Sequence, residues 1–338
     1  MSSSFRIPID EVSQIAEARR VGLRLADEIG FDDVRAGQVA IVVTEMCTNI
    51  LKHAQSGAIL LQVPEAAAPE GGPQLELLSL DKGPGMYDVE RCIEDGFTSG
   101  SSPGEGLGAV RRLAGESDFY SIPGEGTAIL ARWPAAPPAR TAAPVFLRAG
   151  AVNANKVGEE FCGDAWGIEQ DGGAFSVMVA DGLGHGFEAA QASREAIRIL
   201  RNNKEKTPGS LIDLVHRALR GLRGAAVAVA RIDLDRALVT FSGLGNILAQ
   251  IYAGSARYQH LVSVNGTAGH HAGRIREFSY PWPKDGLLVM HSDGLATGTA
   301  IDSHSALPLR DPALIAGVLY RDFARHHDDA TVVVAKAA

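Results

Sequence analysis

Between residues 10 and 55 the apolar positions recur at intervals of three and four. In "DEVSQIAEARRVGLRLADEIG" this spacing, with an Asp10 cap and a closing Gly30, predicts a helix. From about residue 36 to 55 a second helix is predicted, with Val39, Val43, Met46, Ile50 and Ala54 as its apolar stripe. The short apolar runs "SFRIPI", "AILLQV", "QLELLSL" and "GTAILARW" read as strands. Together these elements predict an α+β layer sandwich, with helices on one face of a mixed sheet. The periodicity stops in "WPAAPPARTAAP", a Pro/Ala-rich stretch of the kind that forms semi-rigid linkers. It divides the chain into residues 1–133, a linker at 134–144 and residues 145–338.

Composition narrows the classes of function. A chain of 338 residues suits two domains, each large enough to bury a core. The net charge is −8 and Lys and Arg form no basic stripe, so nucleic acid is not expected as a partner. No apolar run is long enough to span a bilayer and "MSSSFRIPID" is no secretory signal, which predicts a cytoplasmic protein without a membrane partner. Cys47, Cys92 and Cys162 have no CxxC pairing, which argues against a disulfide framework or a zinc site.

The chemistry of the first half lies opposite its apolar stripe. Glu45, Asn49 and His53 follow one another at four-residue steps on the second helix. Downstream, "SLDKGPGM" ends a strand in Asp81, followed by Gly83 and Gly85, and "SSPGEGLGAVRRL" sets Gly104, Gly106 and Gly108 before a helix. Such glycines let the backbone approach a polyphosphate, and a helix N-terminus favours negative charge. An Asn amide oxygen suits Mg²⁺ bridging phosphates, so these parts describe an ATP site.

The order "EMCTNILKHA", "DKGPGM", "GEGLGAVRRL" and "SIPGEGTAILARW" resembles the GHKL (histidine-kinase-type) ATPase family, in particular the anti-sigma and switch serine kinases of the RsbT and RsbW kind. The resemblance implies that Asn49 holds Mg²⁺ and that Asp81 accepts the adenine amino group. It also implies that Gly83, Gly85, Gly104, Gly106, Leu107 and Gly108 cradle the nucleotide, with Thr127 beside the adenine. Glu45 matches the residue that serves these kinases as base for a substrate hydroxyl, where a carboxylate acts mainly by orienting the nucleophile. His53 stays outside this catalytic set.

In the second half "AFSVMVADGLGHG" ends a strand in Asp181-Gly182 and "GLLVMHSDGLATG" repeats the arrangement with Asp293-Gly294. "EEFCGDAWGI" supplies Asp164, and "HHDDATVVVAK" supplies Asp328 and Asp329. Acidic residues at the ends of buried strands are costly unless paired or bound to cations. Carboxylate oxygens suit Mg²⁺ or Mn²⁺, and a glycine after the Asp lets the chain turn sharply toward the ion. These blocks resemble the metal-dependent PPM serine/threonine phosphatases, especially their SpoIIE-like branch and its RsbX-type members. The resemblance implies a β-sandwich flanked by helices, two of them "GFEAAQASREAIRILRNN" and "GSLIDLVHRALRGLRG", with Asp164, Asp181, the Gly182 carbonyl, Asp293 and Asp328 as metal ligands. Asp329 is read as setting the turn, and His185 as a structural hydrogen-bonding group ahead of a proton donor.

In the families resembled, such a kinase and phosphatase act against each other on a STAS-domain antagonist protein. A bifunctional partner-switching protein using ATP, Mg²⁺ and Mn²⁺ is therefore implied, with a sigma factor or a downstream signalling enzyme as a further partner. Two rival readings stay open: an anti-sigma-type sequestering module, and a phosphatase whose ATP domain only senses nucleotide. The kinase families resembled often form homodimers, and the oligomeric state stays open as well.

Overall fold

The computed structural model describes residues 3–64, 74–93, 106–135, 147–254, 257–297, 301, 304 and 306–337. The Pro/Ala-rich linker lies almost wholly outside these residues, as does Gly104. The chain forms two compact units: the first comprises Met1–Ala142 and Leu309–Arg321, the second Ala143–Pro308 and Asp322–Ala338. Among the described residues no helix is long and apolar enough to cross a membrane.

The first unit contains strands β1 (Ser3–Ile9), β2 (Gly57–Val63), β3 (Gln74–Asp81), β4 (Glu116–Ile122) and β5 (Gly126–Pro134) in the order β1-β2-β3-β5-β4. Every ladder is antiparallel, where a mixed sheet was expected. Edge strand β4 was not legible in the sequence, because only Phe119 and Tyr120 of its seven residues are buried. Helices α1 (Ser13–Glu28), α2 (Asp33–Asn49), α3 (Val89–Ile93) and α4 (Gly106–Leu113) complete the N-terminal part. Val39, Val43, Met46 and Ile50 pack with Leu61, Leu77, Ile129 and Trp133, so four of the five predicted stripe positions are core, while Ala54 is only half-buried.

Helix ends differ in detail from expectation. Asp10 does not cap α1; the Gln14 side chain instead reaches back to the Asp10 and Glu11 amides at 2.6 and 2.9 Å. Gly30 closes that helix at φ +78°, a conformation that favours glycine. Asp32 caps α2 by accepting from the Arg35 amide at 2.8 Å. Immediately after Asn49 the α-helix widens into one π-helical turn over Ile50–Ala54, a distortion frequent at functional sites.

Strands β2, β3 and β5 carry apolar residues on both faces. Leu77 and Ile129 face the helical core, while their neighbours Leu78, Leu80 and Leu130 are also buried. Burial on both faces explains the near-continuous apolar runs in the sequence. Helix α7 (Pro312–Phe323), all but its last two residues within this unit, covers the second face: a Cβ on Gly317 would lie 3.2–3.4 Å from Leu78 and Leu80.

The second unit is built on two five-stranded sheets. The chain-order strands are β6 (Leu147–Ala154), β7 (Asp164–Asp171), β8 (Ala174–Gly182), β9 (Ala225–Asp233), β10 (Leu238–Leu244), β11 (Leu248–Ala253), β12 (Arg257–His260), β13 (Gly266–Thr267), β14 (His271–Ala272), β15 (Phe278–Pro281), β16 (Gly286–His291) and β17 (Ala330–Ala337). One sheet runs β15-β10-β9-β8-β7 and the other β12-β11-β16-β17-β6. The alternation in β8 divides two cores: Val177 and Val179 meet Met290 and Val333 of the other sheet, while Met178 and Ala180 pack on α5 (Phe187–Asn202) and α6 (Pro208–Ala218). This is the expected helix-flanked β-sandwich.

Candidate active sites

In the first unit the fold brings described members of the predicted nucleotide set together in two clusters. At one end of α4, a Cβ placed on Gly106 would lie 3.0 Å from Glu45 Oε2 and 3.3–3.4 Å from both amide atoms of Asn49. Gly106, the first residue of α4, therefore lies directly against the carboxylate and the amide that α2 presents one turn apart. Leu107 and Gly108 follow in α4, with Gly108 buried.

The second cluster surrounds Asp81 at the end of β3. Register pairs Asp81 with Thr127, whose amide donates to Asp81 Oδ1 at 3.2 Å; the Gly83 amide donates to the same oxygen at 2.8 Å. Burial pushes the Asp81 carboxyl up from its ordinary range, and the two amides, Arg321 and His53 pull it back. The Thr127 hydroxyl lies 3.0 Å from that of Ser121, which also accepts from the Met86 amide at 2.9 Å. Gly85 is held at φ +67° where a Cβ would collide with the Ile122 carbonyl, and Gly126 at φ +102° where it would collide with that of Asp81. Both positions require glycine. Gly83 packs on the π turn, since its Cβ would sit 2.6 Å from that of Ala54. The turn after Asn49 thus joins the two clusters, and it carries His53 toward Asp81. Ser121 and Gly126 lie in the "SIPGEGTAILARW" block without a role assigned from it, and the β4–β5 pairing places them here.

In the second unit, the β7–β8 register sets Asp164 opposite Asp181. Like charges across a ladder are destabilising, and Asp164 is only 4% exposed. Burial, then Asp164, Asp293, Asp328 and Asp329, push the Asp181 carboxyl up to about 9. Burial likewise raises Asp164, to about 7, with Asp329 and Asp293 adding to it and hydrogen bonds from Ser292 and Thr331 opposing. Among the described residues no three His, Cys, Asp or Glu side chains already form a closed ligand set. The carboxylates instead share one acidic field, and the all-oxygen donors and uncompensated charge fit hard divalent cations.

Neighbours fix these side chains. Ser292 donates to Asp164 Oδ2 at 2.6 Å and accepts from the Thr331 amide at 3.0 Å, while Asn246 donates to Asp293 Oδ2 at 2.7 Å. Asp329 accepts from the Lys156 and Gly163 amides at 2.8 and 2.9 Å, so both its oxygens are engaged in holding the 156–163 segment. Asp328 accepts from the Asp329 amide at 3.0 Å. His185 pairs with Glu159 at 2.7 Å. The glycines after the aspartates work differently from expectation: neither Gly182 nor Gly294 has a positive φ. Their hydrogens admit close backbone approach, since a Cβ would lie 2.1 Å from the Ala189 carbonyl oxygen and 1.9 Å from that of Asp329.

Known proteins repeat this division. Residues 9–133 match the histidine kinase-like ATPase domain, and residues 171–338 match stage II sporulation protein E (SpoIIE), a segment that begins after Asp164. The serine/threonine-protein kinase RsbT of Bacillus subtilis (strain 168) is 36% identical over 120 residues, 35% of this chain and 88% of the relative. The phosphoserine phosphatase RsbX of the same organism is 24% identical over 141 residues, 42% of this chain and 71% of the relative. Among solved structures, a chain from the bacterial stressosome, a modular system adapted to control secondary messenger signalling, is 28% identical with a TM-score of 0.53, covering 56% of this chain and 98% of that one. RsbX in complex with magnesium shares the fold at 19% identity and a TM-score of 0.51, over 58% of this chain and 98% of its own.

Proposed function

The chain belongs to the histidine kinase-like ATPase family through its first unit and continues into a SpoIIE-type phosphatase domain, and from that premise we propose a bifunctional switch. One site would phosphorylate a serine or threonine of a STAS-domain antagonist protein in partner-switching regulation, and the other would remove that phosphate. The observation that carries the kinase half is the placement of Gly106 against Glu45 and Asn49. Asn49 would hold Mg²⁺, Asp81 and Thr127 the adenine, and the glycines the phosphates. Glu45 would orient the substrate hydroxyl and take its proton as the γ-phosphoryl bond to ADP breaks and the new phosphate ester forms.

For the phosphatase half, Asp164, Asp181, the Gly182 carbonyl, Asp293 and Asp328 would hold Mg²⁺ or Mn²⁺. Such ions, when bound, lower the pKa of water and stabilise charge on a phosphoryl group. The chain's own contribution is to aim the carboxylates: Ser292 and Thr331 for Asp164, Asn246 for Asp293, Asp329 for the 156–163 segment.

Intact-mass spectrometry tests both halves at once. A STAS-domain partner incubated with Mg-ATP and the Asp181→Asn, Asp293→Asn double variant should gain one phosphate, which wild-type protein with Mn²⁺ should then remove. Glu45→Ala should abolish the gain. If ATP binds but no STAS partner gains a phosphate, the first unit is a nucleotide sensor or a sequestering module and the kinase assignment fails.

A further inference from the structure

Residues 309–321 lie outside the 9–133 segment that matches the ATPase domain, yet they fold into the first unit. Their contacts run along β3 and β5 in order. At the start, Asp311 receives both terminal guanidinium nitrogens of Arg132 at 2.7 Å, and its amide donates to Asp118 at 2.8 Å. Arg132 in turn donates to Glu76 on β3 at 2.6 Å. At the middle, Gly317 lies on Leu78 and Leu80. At the end, the Arg321 guanidinium donates to the Asp81 backbone carbonyl at 3.2 Å.

The spacing is self-consistent. From Asp311 to Arg321 a helix advances about 15 Å; from Glu76 to Asp81 a strand advances about 17 Å. Helix α7 therefore runs alongside β3 and delivers one buried cation to the residue that closes the adenine end of the site. Arg321 is only 8% exposed. The Asp81 carbonyl it meets lies at the point where β3 ends and the Gly83–Gly85 turn begins, so the contact fixes the peptide that aims the Asp81 side chain.

We propose that Arg321 is a positioning residue of the nucleotide site, acting through Asp81, so that adenine recognition depends on a helix contributed by the far C-terminal sequence. The proposal rests on the nucleotide-site reading above. It goes beyond that reading in assigning part of the site to α7, which the matched ATPase segment does not contain. Asp81 senses the same guanidinium electrostatically.

Nucleotide titrations of the full chain test it. The probes are ATP and purine riboside triphosphate, which lacks the adenine amino group that Asp81 would accept. Arg321→Met, which keeps much of the aliphatic stem, should weaken ATP binding by about tenfold, as expected for loss of a buried charged hydrogen bond, while the analogue's affinity changes less than about twofold. Arg321→Lys should recover most of the ATP affinity. Equal loss for both nucleotides in Arg321→Met, or unchanged ATP affinity, overturns the proposal, the first because it marks a merely structural role. Failure of the Lys variant to recover any ATP affinity while it melts like wild type also counts against it. Absence of ATP binding by the wild-type chain overturns the nucleotide site itself, and this assignment with it.

Discussion

Gly106 and Gly294 show how much of this chemistry rests on missing side chains. The first leaves room for Glu45 and Asn49 to face the start of α4; the second lets the Asp293 turn lie against the backbone of Asp329. Gly294→Ala would put a methyl group 1.9 Å from a carbonyl oxygen, and backbone there cannot yield cheaply. It should lower stability by about 3 kcal/mol, whereas Gly273→Ala, with nothing within 4 Å, should stay near wild type. Denaturant midpoints of the two variants make the comparison, and equal midpoints would contradict it. The sequence signals these glycines through the GEGLGAVRRL and SDG blocks but assigns the second of them the wrong physics. Turn-forming was the local expectation, while the actual demand is contact with a segment thirty-five residues away in the chain.

At the level of elements, the β7–β8 pairing is the informative case. An aspartate at the start of β7 and one near the end of β8 are each ordinary, but the register of the two strands places Asp164 and Asp181 across from one another. The sign of the pH dependence follows. In the ion-free protein Asp181 ionises near 3.8 when unfolded and near 9 when folded. Below the lower value both states are protonated and the site carries no penalty. As pH rises through this window the unfolded state releases its proton first, so folding stability falls. Thermal midpoints measured in chelator should therefore decline from pH 5 to pH 9. Mn²⁺ or Mg²⁺ should restore them by binding only the folded state, and a midpoint that rises with pH in chelator would contradict the acidic-cluster reading. The π turn after Asn49 is a second element-level feature without a local signal: the stripe from Val39 to Ile50 is equally compatible with a continuous α-helix.

For the molecule as a whole, Arg132 is the residue to test. It is 5% exposed and lies between Glu76 and Asp311, residues separated by more than two hundred positions in sequence. Removing one partner of a buried ionic cluster strands the others, so Arg132→Ala should destabilise the first unit by about 3–5 kcal/mol. Replacing all three with well-packed apolar residues should cost far less. Chemical denaturation followed by the fluorescence of Trp133, which shares that unit's helical core, reads both variants; equal loss in the two would contradict the account. The apolar runs and periods alone determined four of the five strands of the first sheet and the two long helices of the first half, because an apolar run or a three-to-four-residue period marks an element that must be buried. The motifs likewise marked Glu45 and Asn49 near the C-terminal end of α2, and Asp81, Asp181 and Asp293 at or just beyond strand ends where the local pattern changes. What the pattern could not carry was assigned by tertiary structure: the antiparallel pairing of the first sheet, the edge strand β4, the supporting Ser121, Asn246, Ser292 and Thr331, and the placement of α7 beside β3. These depend on register and on contacts between distant segments, and a linear pattern of burial states that a face is covered without stating by what.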